Sequence, residues 1–380
     1  MLRMHFAIQR LSVVLVGCLM ATLLVASGSP ASAAQKGSSA SNTSNTSKVS
    51  NVSKSPPKKT IGYVDIEASG GMQKRWYNFF TAATKELGWT VRLTDANGVS
   101  SVGLSGIQQY VNDRVNAIVV TCLDTAPLLP GLQAARAAKI PVIEIGCQEP
   151  APLSAWNAVY AEPERQMANY FSSYLVKALS ARKCDQVSVL QDDTILIARL
   201  RSTMIITALR KAGVNVVSTP VIPETSIVPS TQAAVSGTLT AHPGTCAFIP
   251  IFDFSSGPAA SELETLNNTT AKVYTYYADD VNDPLLLNPA SPLVAVVDGP
   301  VEQVSLVAVD QLLNHFMTGA PINEKAANGL KVPFTIFTKS NAPKNYSGYI
   351  TPWSVNKYLT PFVKKWNAKY GFKLRAPHAS

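Results

Sequence analysis

The sequence is poor in charge and in histidine, and it lacks the repeated apolar runs of a multi-span membrane protein. Of 380 residues, 15% are charged, 46% are hydrophobic and four are histidine. A chain this hydrophobic is not typical of intrinsic disorder, and too few stretches of about 20 apolar residues are present for several membrane spans. The length accommodates about two ordinary domains, each with a core of its own.

Acidic residues are absent before position 61, and this absence accounts for most of the net charge of +9. Residues 1–33 hold two basic groups, and residues 34–60 hold five lysines. The remaining part, 61–380, has 26 basic residues against 24 acidic ones. Because that part is nearly neutral, its charge does not favour nucleic-acid binding, and we expect no nucleic-acid partner.

The first 33 residues have the order of a secretory signal peptide. Arg3 and Arg10 precede an apolar run over 11–26, and small residues end at Ala33, where we expect cleavage. A membrane anchor is the first alternative, but 16 residues are short for a spanning helix of about 20. The second is a lipoprotein anchored at Cys18, because the residues before it resemble a bacterial lipobox.

Residues 34–60 are rich in Ser, Thr, Asn and Lys and contain no aromatic residue. Such a composition cannot form a core, and it predicts a flexible linker between the signal peptide and the folded part. The mature protein is therefore expected to be periplasmic or otherwise extracytoplasmic. Four cysteines remain after export, which leaves three complete disulfide pairings open in an oxidising compartment: Cys122, Cys147, Cys184 and Cys246.

From residue 61 onward, short β-rich runs alternate with amphipathic helical stretches. Predicted strands begin at 61, 90, 117 and 141, and again at 187, 214, 247 and 272, with offsets of 124 to 131 residues. Late strands are predicted at 293–297 and 332–338, around a helix at 301–317. This pattern predicts an α/β fold of two similar lobes, each a parallel sheet flanked by helices. Ligands of such sheets bind at the carboxyl ends of the strands, here in a cleft between the lobes.

Catalytic and metal-binding motifs are missing. There is no G-x-S-x-G elbow, Walker loop, H-E-x-x-H helix or dinucleotide fingerprint, and no Cys/His spacing suits zinc. We therefore expect that the protein is not an enzyme and that it has no cofactor or metal.

Several short motifs follow one another in a characteristic order: Glu86-Leu87-Gly88-Trp89, Asp95, Asn116-Ala117-Ile118-Val119-Val120, Ala138-Lys139-Ile140-Pro141-Val142-Ile143 and Thr240-Ala241-His242-Pro243. Over about 61–340 the chain resembles type I periplasmic solute-binding proteins of the ribose- and galactose-binding group of sugar ABC importers. The resemblance implies a periplasmic-binding-protein-like I fold that closes over a small solute and presents it, as a monomer, to an ABC permease in the membrane. A sensory protein that presents its ligand to a chemoreceptor or sensor kinase is the alternative.

The resemblance also implies the lobe boundaries. It places 61–150 and 284–335 in the N-terminal lobe, and 151–283 with part of 336–380 in the C-terminal lobe and tail. A three-segment hinge between the lobes is expected near 146–152, 279–287 and 334–338.

The binding residues come from the same resemblance. The expected ligand-binding positions are Glu67, Met72, Gln73, Trp76, Cys147, Asp192, Arg201, Phe252, Asp253, Tyr277, Asp279 and Asp298. Hydrogen bonds to the solute are expected from Arg201, Asp253, Asp279 and Asp298, and apolar contacts from Trp76, Phe252 and Tyr277. Helix capping by Asp192, packing of Trp76 and a surface position for Arg201 are the alternatives.

Two departures from the family pattern bear on the solute. Gly146 and Cys147 replace an aspartate–arginine pair that grips sugar hydroxyls, and Met72 and Gln73 replace a pair of aromatic residues. These changes put a simple aldose in doubt and favour a sugar-like solute, amphipathic or aromatic-bearing.

The family topology also suggests how the cysteines pair. It makes the strands that follow Cys184 and Cys246 neighbours, which implies a disulfide between them. Cys122 and Cys147 end two neighbouring strands, where they form a second bridge or remain buried thiols.

The tail beyond residue 340 carries aromatic residues at about four-residue spacing: Trp353, Tyr358, Phe362, Trp366 and Tyr370. This spacing predicts a helix whose aromatic stripe packs on one lobe. Pro361 is expected to break or kink that helix.

Overall fold

The structure is a computed structural model that describes residues 54–147, 155–192, 196–342 and 353–377. The expected signal peptide, the alternative anchor at Cys18 and most of the expected linker lie outside the described residues.

The chain is built from two successive sets of strands and helices, followed by a C-terminal segment. The first set is β1 (Thr60–Asp65), α1 (Gly71–Glu86), β2 (Thr90–Asp95), α2 (Ser100–Asn112), β3 (Ala117–Thr121), α3 (Thr125–Ala137), β4 (Val142–Gly146) and β5 (Ala158–Ala161). The second set is α4 (Glu164–Ala181), β6 (Gln186–Leu190), α5 (Leu196–Lys211), β7 (Asn215–Ser218), α6 (Ile227–Ala241), β8 (Ala247–Pro250), α7 (Ser256–Thr265), β9 (Lys272–Tyr276), α8 (Asp283–Leu287) and β10 (Leu293–Asp298). The last segment is α9 (Gln303–Thr318), β11 (Thr335–Thr338) and α10 (Val355–Tyr370).

The two sets form two sheets with the same strand order. The first sheet is ordered β2-β1-β3-β4-β5, and the second is ordered β7-β6-β8-β9-β10 with β11 added at its edge. All pairs are parallel except that between β10 and β11. The first strands begin at Thr60 and Gln186, 126 residues apart. The predicted fold of two similar parallel-sheet lobes is therefore confirmed.

Local sequence explains why these elements form. Every residue of β3 and β4 is buried, as expected for central strands covered by helices on both faces, whereas edge strand β2 is partly exposed. Helix α1 buries Met72, Trp76, Phe79, Phe80 and Ala83, which recur at intervals of three or four residues and form one apolar face.

The lobe boundaries differ from those expected. Strand β5, within 151–283, completes the first sheet, whereas β10, within 284–335, joins the second. Helix α9 packs against α1, β4 and β5 and so belongs to the first lobe. The cause is β5, a strand of only four residues that the sequence pattern did not reveal. It moves the first crossing between the lobes from 146–152 to the segment after Ala161.

The expected hinge positions change accordingly. The second crossing lies between β10 and α9 instead of at 279–287, which falls within the second lobe and includes α8. The third crossing leads from α9 into β11, which spans Thr335–Thr338, close to its expected place at 334–338. Residues 343–352 lie outside the described residues, and α10, which follows them, packs on α1 and α9 of the first lobe.

The aromatic tail helix packs on the first lobe, not on the second as the expected boundaries implied. Helix α10 contacts α1 and α9. Trp366 is fully buried, and its Nε1 donates a hydrogen bond to Asp310 Oδ1 at 2.9 Å. The expected break at Pro361 is wrong, because α10 continues through Pro361.

Two disulfides are present, and they lie at opposite ends of their sheets. Cys184 and Cys246 are bonded just before β6 and β8, as expected. Cys122 and Cys147 are bonded just after β3 and β4, so the bridge is formed and the free-thiol alternative is not. The second bridge therefore stands at the strand ends that border the cleft.

Candidate ligand-binding cleft

The carboxyl ends of the two sheets meet at the first turn of α1, where the lobes contact each other directly. Met72 N donates to Asp253 Oδ2 at 2.9 Å, and Gly71 N donates to Asp280 Oδ1 at 3.2 Å. Lys74 Nζ lies 2.7 Å from Asp280 Oδ2. The first turn of a helix has unsatisfied N–H groups and a positive dipole end, and here carboxylates of the other lobe supply both the acceptors and the charge. The cleft is thus closed in this structure.

A glycine at the start of α1 is required for this contact. Gly71 has φ +57°, and a Cβ atom there would collide with the Asp253 carboxylate. Only glycine combines this left-handed conformation with so close an approach. The sequence therefore allows the second lobe to reach the helix backbone itself.

A small cavity lies within the cleft. Its volume is about 20 Å³. That space accommodates about one water molecule, so a solute of monosaccharide size requires the lobes to separate or their side chains to move. The lining residues come from both lobes: Gln73, Leu190, Gln191, Asp192, Ile222, Glu224, Ile227, Ile251, Phe252, Phe254 and Ser255. Of the expected site residues, the cavity brings together Gln73, Asp192 and Phe252.

Asp253 and Asp279, two further expected residues, form a buried pair of carboxyls beside this cavity. Burial raises the pKa of both, and the neighbouring Asp253 adds to the rise for Asp279. Asp279 Oδ1 accepts hydrogen bonds from the backbone N–H groups of Val281 and Asn282, both at 3.1 Å. Two adjacent buried carboxyls cannot both ionise readily, so the pair holds a proton in the closed structure.

A second acidic pair, Asp192 and Glu224, lines the cavity itself. Burial, the adjacent Asp192, and the more distant Glu67 and Asp253 together raise the pKa of Glu224 to about 9. Glu67 belongs to the first lobe, and its Oε1 accepts a hydrogen bond from Ser69. Among the described residues that line the cavity there is no lysine, arginine or histidine.

Arg201 does not line the cavity but lies behind its wall, at the hinge, where it contacts the lining residues Ile251 and Phe252. It is fully buried. Its Nε and Nη2 donate to Glu164 at 2.9 and 2.6 Å, and Nη2 also lies 2.8 Å from Glu162 Oε1. Tyr277 Oη and Ile251 O complete its contacts. Because Arg201 is buried, the alternative of a surface position is wrong, whereas its expected role as a donor to the solute stays a prediction.

Asp298 has an equivalent place at the second crossing. It accepts hydrogen bonds from Arg75 Nη1 at 3.0 and 3.1 Å, and Arg75 Nη2 binds Glu302 at 3.0 and 3.1 Å. Arg75 and both carboxylates are buried. Trp353 Nε1 donates to Asp298 Oδ2 at 2.9 Å. Asp298 therefore binds the protein at the hinge in this closed structure.

The other expected residues have packing or covalent roles here. Trp76 is buried with its ring against Gly146, and its Nε1 has no hydrogen-bond partner among the described residues. Tyr277 is buried with its hydroxyl on Arg201 and Glu162. Cys147 is bonded to Cys122.

Several residues of this region escaped the sequence analysis, notably Arg75, Glu162, Glu164, Glu224 and Glu302. One signal was available: Arg75 precedes Arg201 by 126 residues, which is also the offset between β1 and β6. The acidic partners lie in connecting segments or, for Glu164, at the first position of a helix, where no periodicity marks them.

Two structural features are absent from the described residues. No helix there combines the length and the apolar character needed to cross a membrane. No group of three or more His, Cys, Asp or Glu side chains there has an arrangement that could hold a metal ion.

A family model described as a periplasmic binding protein domain matches residues 61–314. This is a family of extracytoplasmic solute-binding proteins, not of enzymes, in agreement with the absence of catalytic motifs. The chain belongs to the periplasmic binding protein domain family, as its resemblance indicated. No curated protein matches the sequence.

Solved structures with the same fold include several solute-binding proteins. A 5-methylthioribose transporter solute-binding protein from Thermotoga lettingae has a TM-score of 0.65 at 18% identity, covering 75% of this chain and 87% of its own. A glucose-galactose binding protein from Geobacillus stearothermophilus has a TM-score of 0.63 at 17% identity, with coverages of 76% and 99%. A carbohydrate transporter from Acidothermus cellulolyticus, in complex with myo-inositol, has a TM-score of 0.58 at 18% identity, with coverages of 75% and 96%. At sequence identities this low, the structural similarity establishes a common fold and nothing more specific.

Proposed function

We propose that this protein is the extracytoplasmic substrate-binding protein of an ABC importer, capturing a small polar solute, a sugar or a sugar-like compound, between its lobes. The observation that carries the proposal is the meeting of two duplicated parallel sheets at their carboxyl ends, with polar side chains of both lobes at the junction. The similar proteins named above are described with 5-methylthioribose, glucose and galactose, and myo-inositol. All of these are small polyhydroxylated solutes.

Capture requires an exchange of partners in the cleft. Asp253 and Asp280 bind the first turn of α1 when the lobes are closed. As the lobes separate, these groups become available, and a solute that hydrogen-bonds to both lobes stabilises the closed form again. The solute shifts the population toward closure only through contacts that the open form lacks.

The side chains that we assign to the solute are Gln73, Asp192 and Phe252, which line the cavity, together with Asp253 and Asp279 beside it. The partly buried ring of Phe252 offers an apolar surface to one face of a solute. Glu67, Met72 and Trp76 are assigned to the rim and floor of the first lobe. Arg201, Tyr277 and Asp298 reach a solute only if their hinge contacts rearrange.

A thermal-shift screen of residues 34–380 against sugars, polyols, nucleosides and aromatic acids tests solute capture. A solute at a thousand times its dissociation constant is expected to stabilise the fold by about 4 kcal/mol. Asp192→Asn is expected to reduce the shift. The matched control is Asp185→Asn, at the exposed opposite end of β6, which should leave the shift unchanged. Equal shifts in the two variants would remove Asp192 from the site, and no shift with any compound would contradict solute capture.

The importer role needs a cellular measurement. Deleting the gene is expected to abolish uptake of the solute identified in the screen, and restoring the chain is expected to recover it. Retained uptake combined with a lost chemotactic or transcriptional response would favour the sensory alternative. Release of the protein from washed cells, with Ala34 at its N-terminus, would separate export with cleavage from anchoring at Cys18.

A further inference from the structure

We infer that the solute carries a protonated amine on a polyhydroxylated frame, as an amino sugar does, and that the ammonium group binds between Asp192 and Glu224. This inference rests on the proposed function and specifies its substrate class.

The first observation is the composition of the cavity. Asp192 follows β6, and Glu224 lies in the segment between β7 and α6, so adjacent strands bring both carboxyls to one edge of the second sheet. Their lining partners are apolar or uncharged, and none is basic. The buried arginines of the two hinges, Arg75 and Arg201, are bound to carboxylates of their own. The described lining residues therefore offer no cation to an anionic solute.

The second observation comes from the opposite lobe. Gln73, in the first turn of α1, is 4% exposed and lines the same cavity. Its Oε1 accepts no hydrogen bond from any described residue. A buried amide oxygen without a donor is costly, and an N–H or O–H group of a solute would satisfy it. The cavity thus combines negative charge from one lobe with an unsatisfied acceptor from the other.

Closure itself creates a demand for positive charge. The loop after β2 packs against the second lobe, since a Cβ atom on Gly98 would lie 3.4 Å from Glu224 Cβ. Glu67 of the first lobe, with Asp192 and Asp253 of the second, disfavours ionisation of Glu224. Two charged residues of α5 lie near this edge, and neither lines the cavity. Arg199 pairs with Asp124 at 3.7 Å, and Arg201, which donates a hydrogen bond to Ile251 O, pairs with Glu162 and Glu164. Closing the lobes therefore adds the Glu67 carboxylate to the acidic groups around Glu224, and a proton or a cation at Glu224 offsets this.

An ammonium group would take the place of that proton. Without solute, a carboxyl with a pKa of about 9 retains its proton at neutral pH. When an ammonium group binds between ionised Asp192 and Glu224, the proton leaves to solvent. Below pH 9, binding is then expected to strengthen with rising pH, by up to tenfold per unit, as long as the amine stays protonated. A neutral sugar brings no charge, so it leaves the proton in place and its affinity should vary little with pH.

Isothermal titration calorimetry with matched pairs tests the inference. The pairs are glucosamine against glucose and galactosamine against galactose, with glucuronic acid as the anionic probe and calcium chloride as the metal probe. We expect the amine to bind at least tenfold more tightly than its neutral partner, and glucuronic acid not to bind. In two buffers of different ionisation enthalpy, the amine should release up to one proton per molecule bound.

Glu224→Gln is the test variant, and Glu264→Gln, at an exposed position of α7, is its control. Glu224→Gln should weaken amine binding at least tenfold, abolish the proton release and leave any neutral sugar unaffected, and a thermal melt without solute checks that it folds. A neutral sugar that binds as tightly as its amine would overturn this inference and leave the proposed function standing. Calcium binding lost in Glu224→Gln would reassign the acidic pair to a metal. If no compound of any charge binds, both the inference and the proposed function are rejected.

Discussion

Arg75 of α1 and Arg201 of α5 stand at equivalent places in the two halves, 126 residues apart. Each is buried, and each binds two carboxylates in the segment that leaves the fifth strand of a sheet. Arg201 holds Glu162 and Glu164, after β5, and Arg75 holds Asp298 and Glu302, at the end of β10 and beyond. We call these sets the Arg201 clamp and the Arg75 clamp.

The two clamps differ in what surrounds the guanidinium. Arg201 lies 4.0 Å from the ring centroid of Tyr276 and 5.0 Å from that of Phe252, and it also binds the Tyr277 hydroxyl. Arg75 instead reaches the backbone oxygens of Ala278 and Gly299. Each half thus contains one arginine bound to two carboxyls, whereas the other residues around the guanidinium differ between the halves. The first and second crossings between the lobes are therefore each held by a buried arginine–carboxyl cluster, and either aromatic rings or backbone oxygens can surround the arginine.

Removing each arginine should have the largest effect on stability. Arg201→Met and Arg75→Met each leave two buried carboxyls without their cation, so the free energy of unfolding should fall by about 3–5 kcal/mol. The loss should be greater for Arg201→Met, because its aromatic contacts are lost as well. Urea unfolding measures both.

The matched controls are Arg210→Met on α5 and Lys85→Met on α1, both at exposed positions. These should change stability by less than about 0.5 kcal/mol. A clamp variant that unfolds at the same urea concentration as its control would show that the clamp is not a stabilising anchor.

The two disulfides provide the next comparison between the halves. Cys184 and Cys246 are separated by 62 residues, and Cys122 and Cys147 by 25. The chain-entropy model then predicts losses of about 4 kcal/mol for Cys184→Ser with Cys246→Ser, and about 3.5 kcal/mol for Cys122→Ser with Cys147→Ser. Only the second pair borders the cleft, so only its removal should also change solute affinity.

Thermal melts with and without reductant check these values, since reduced wild-type protein should approach the serine variants. Unchanged melting in either double variant would show that the corresponding bridge does not contribute to the fold. A change in solute affinity on removing the Cys184–Cys246 bridge would contradict the prediction that only the bridge at the cleft end of its sheet affects binding.

The smallest expected effect is on the pH dependence of stability. It comes from one carboxyl of each clamp, Glu162 in the Arg201 clamp and Glu302 in the Arg75 clamp. Burial raises the pKa of Glu162 to about 8 and that of Glu302 to about 7. The folded protein keeps these protons at a pH where the unfolded chain has released them, so the free energy of unfolding should fall as pH rises from about 4.5 toward those values. Each group contributes up to about 1.4 kcal/mol per pH unit.

Glu162→Gln should remove the part of this decline that extends to pH 8, and Glu302→Gln the part that ends near pH 7. Unfolding in urea at pH 5, 7 and 8.5 distinguishes them. A wild-type slope in both variants would mean that other buried acids, such as Asp65 with a pKa of about 7, account for the pH dependence.

Much of the fold could be predicted because it is encoded locally. Strand β3 was predicted at 117–121 and is found there, since five consecutive buried residues leave a clear apolar run. The four-residue β5 and its neighbour α4 left no comparable signal, and so the first crossing was misplaced. Within the candidate site, the family resemblance indicated Gln73, Asp192 and Phe252, which lie just after strands or at a helix start.

By itself the sequence determined the α/β class and the duplication, because these follow from periodicity and spacing along the chain, and its short motifs indicated the family by resemblance. Tertiary structure alone decided that α10 covers the first lobe, that Arg201 serves a hinge, and that Asp192 meets Glu224 in one cavity. Arg75 and Asp298 are 223 residues apart and share a buried ion pair. No local pattern encodes such a pair, because burial and the pairing of charges depend on which elements pack together after the chain has folded.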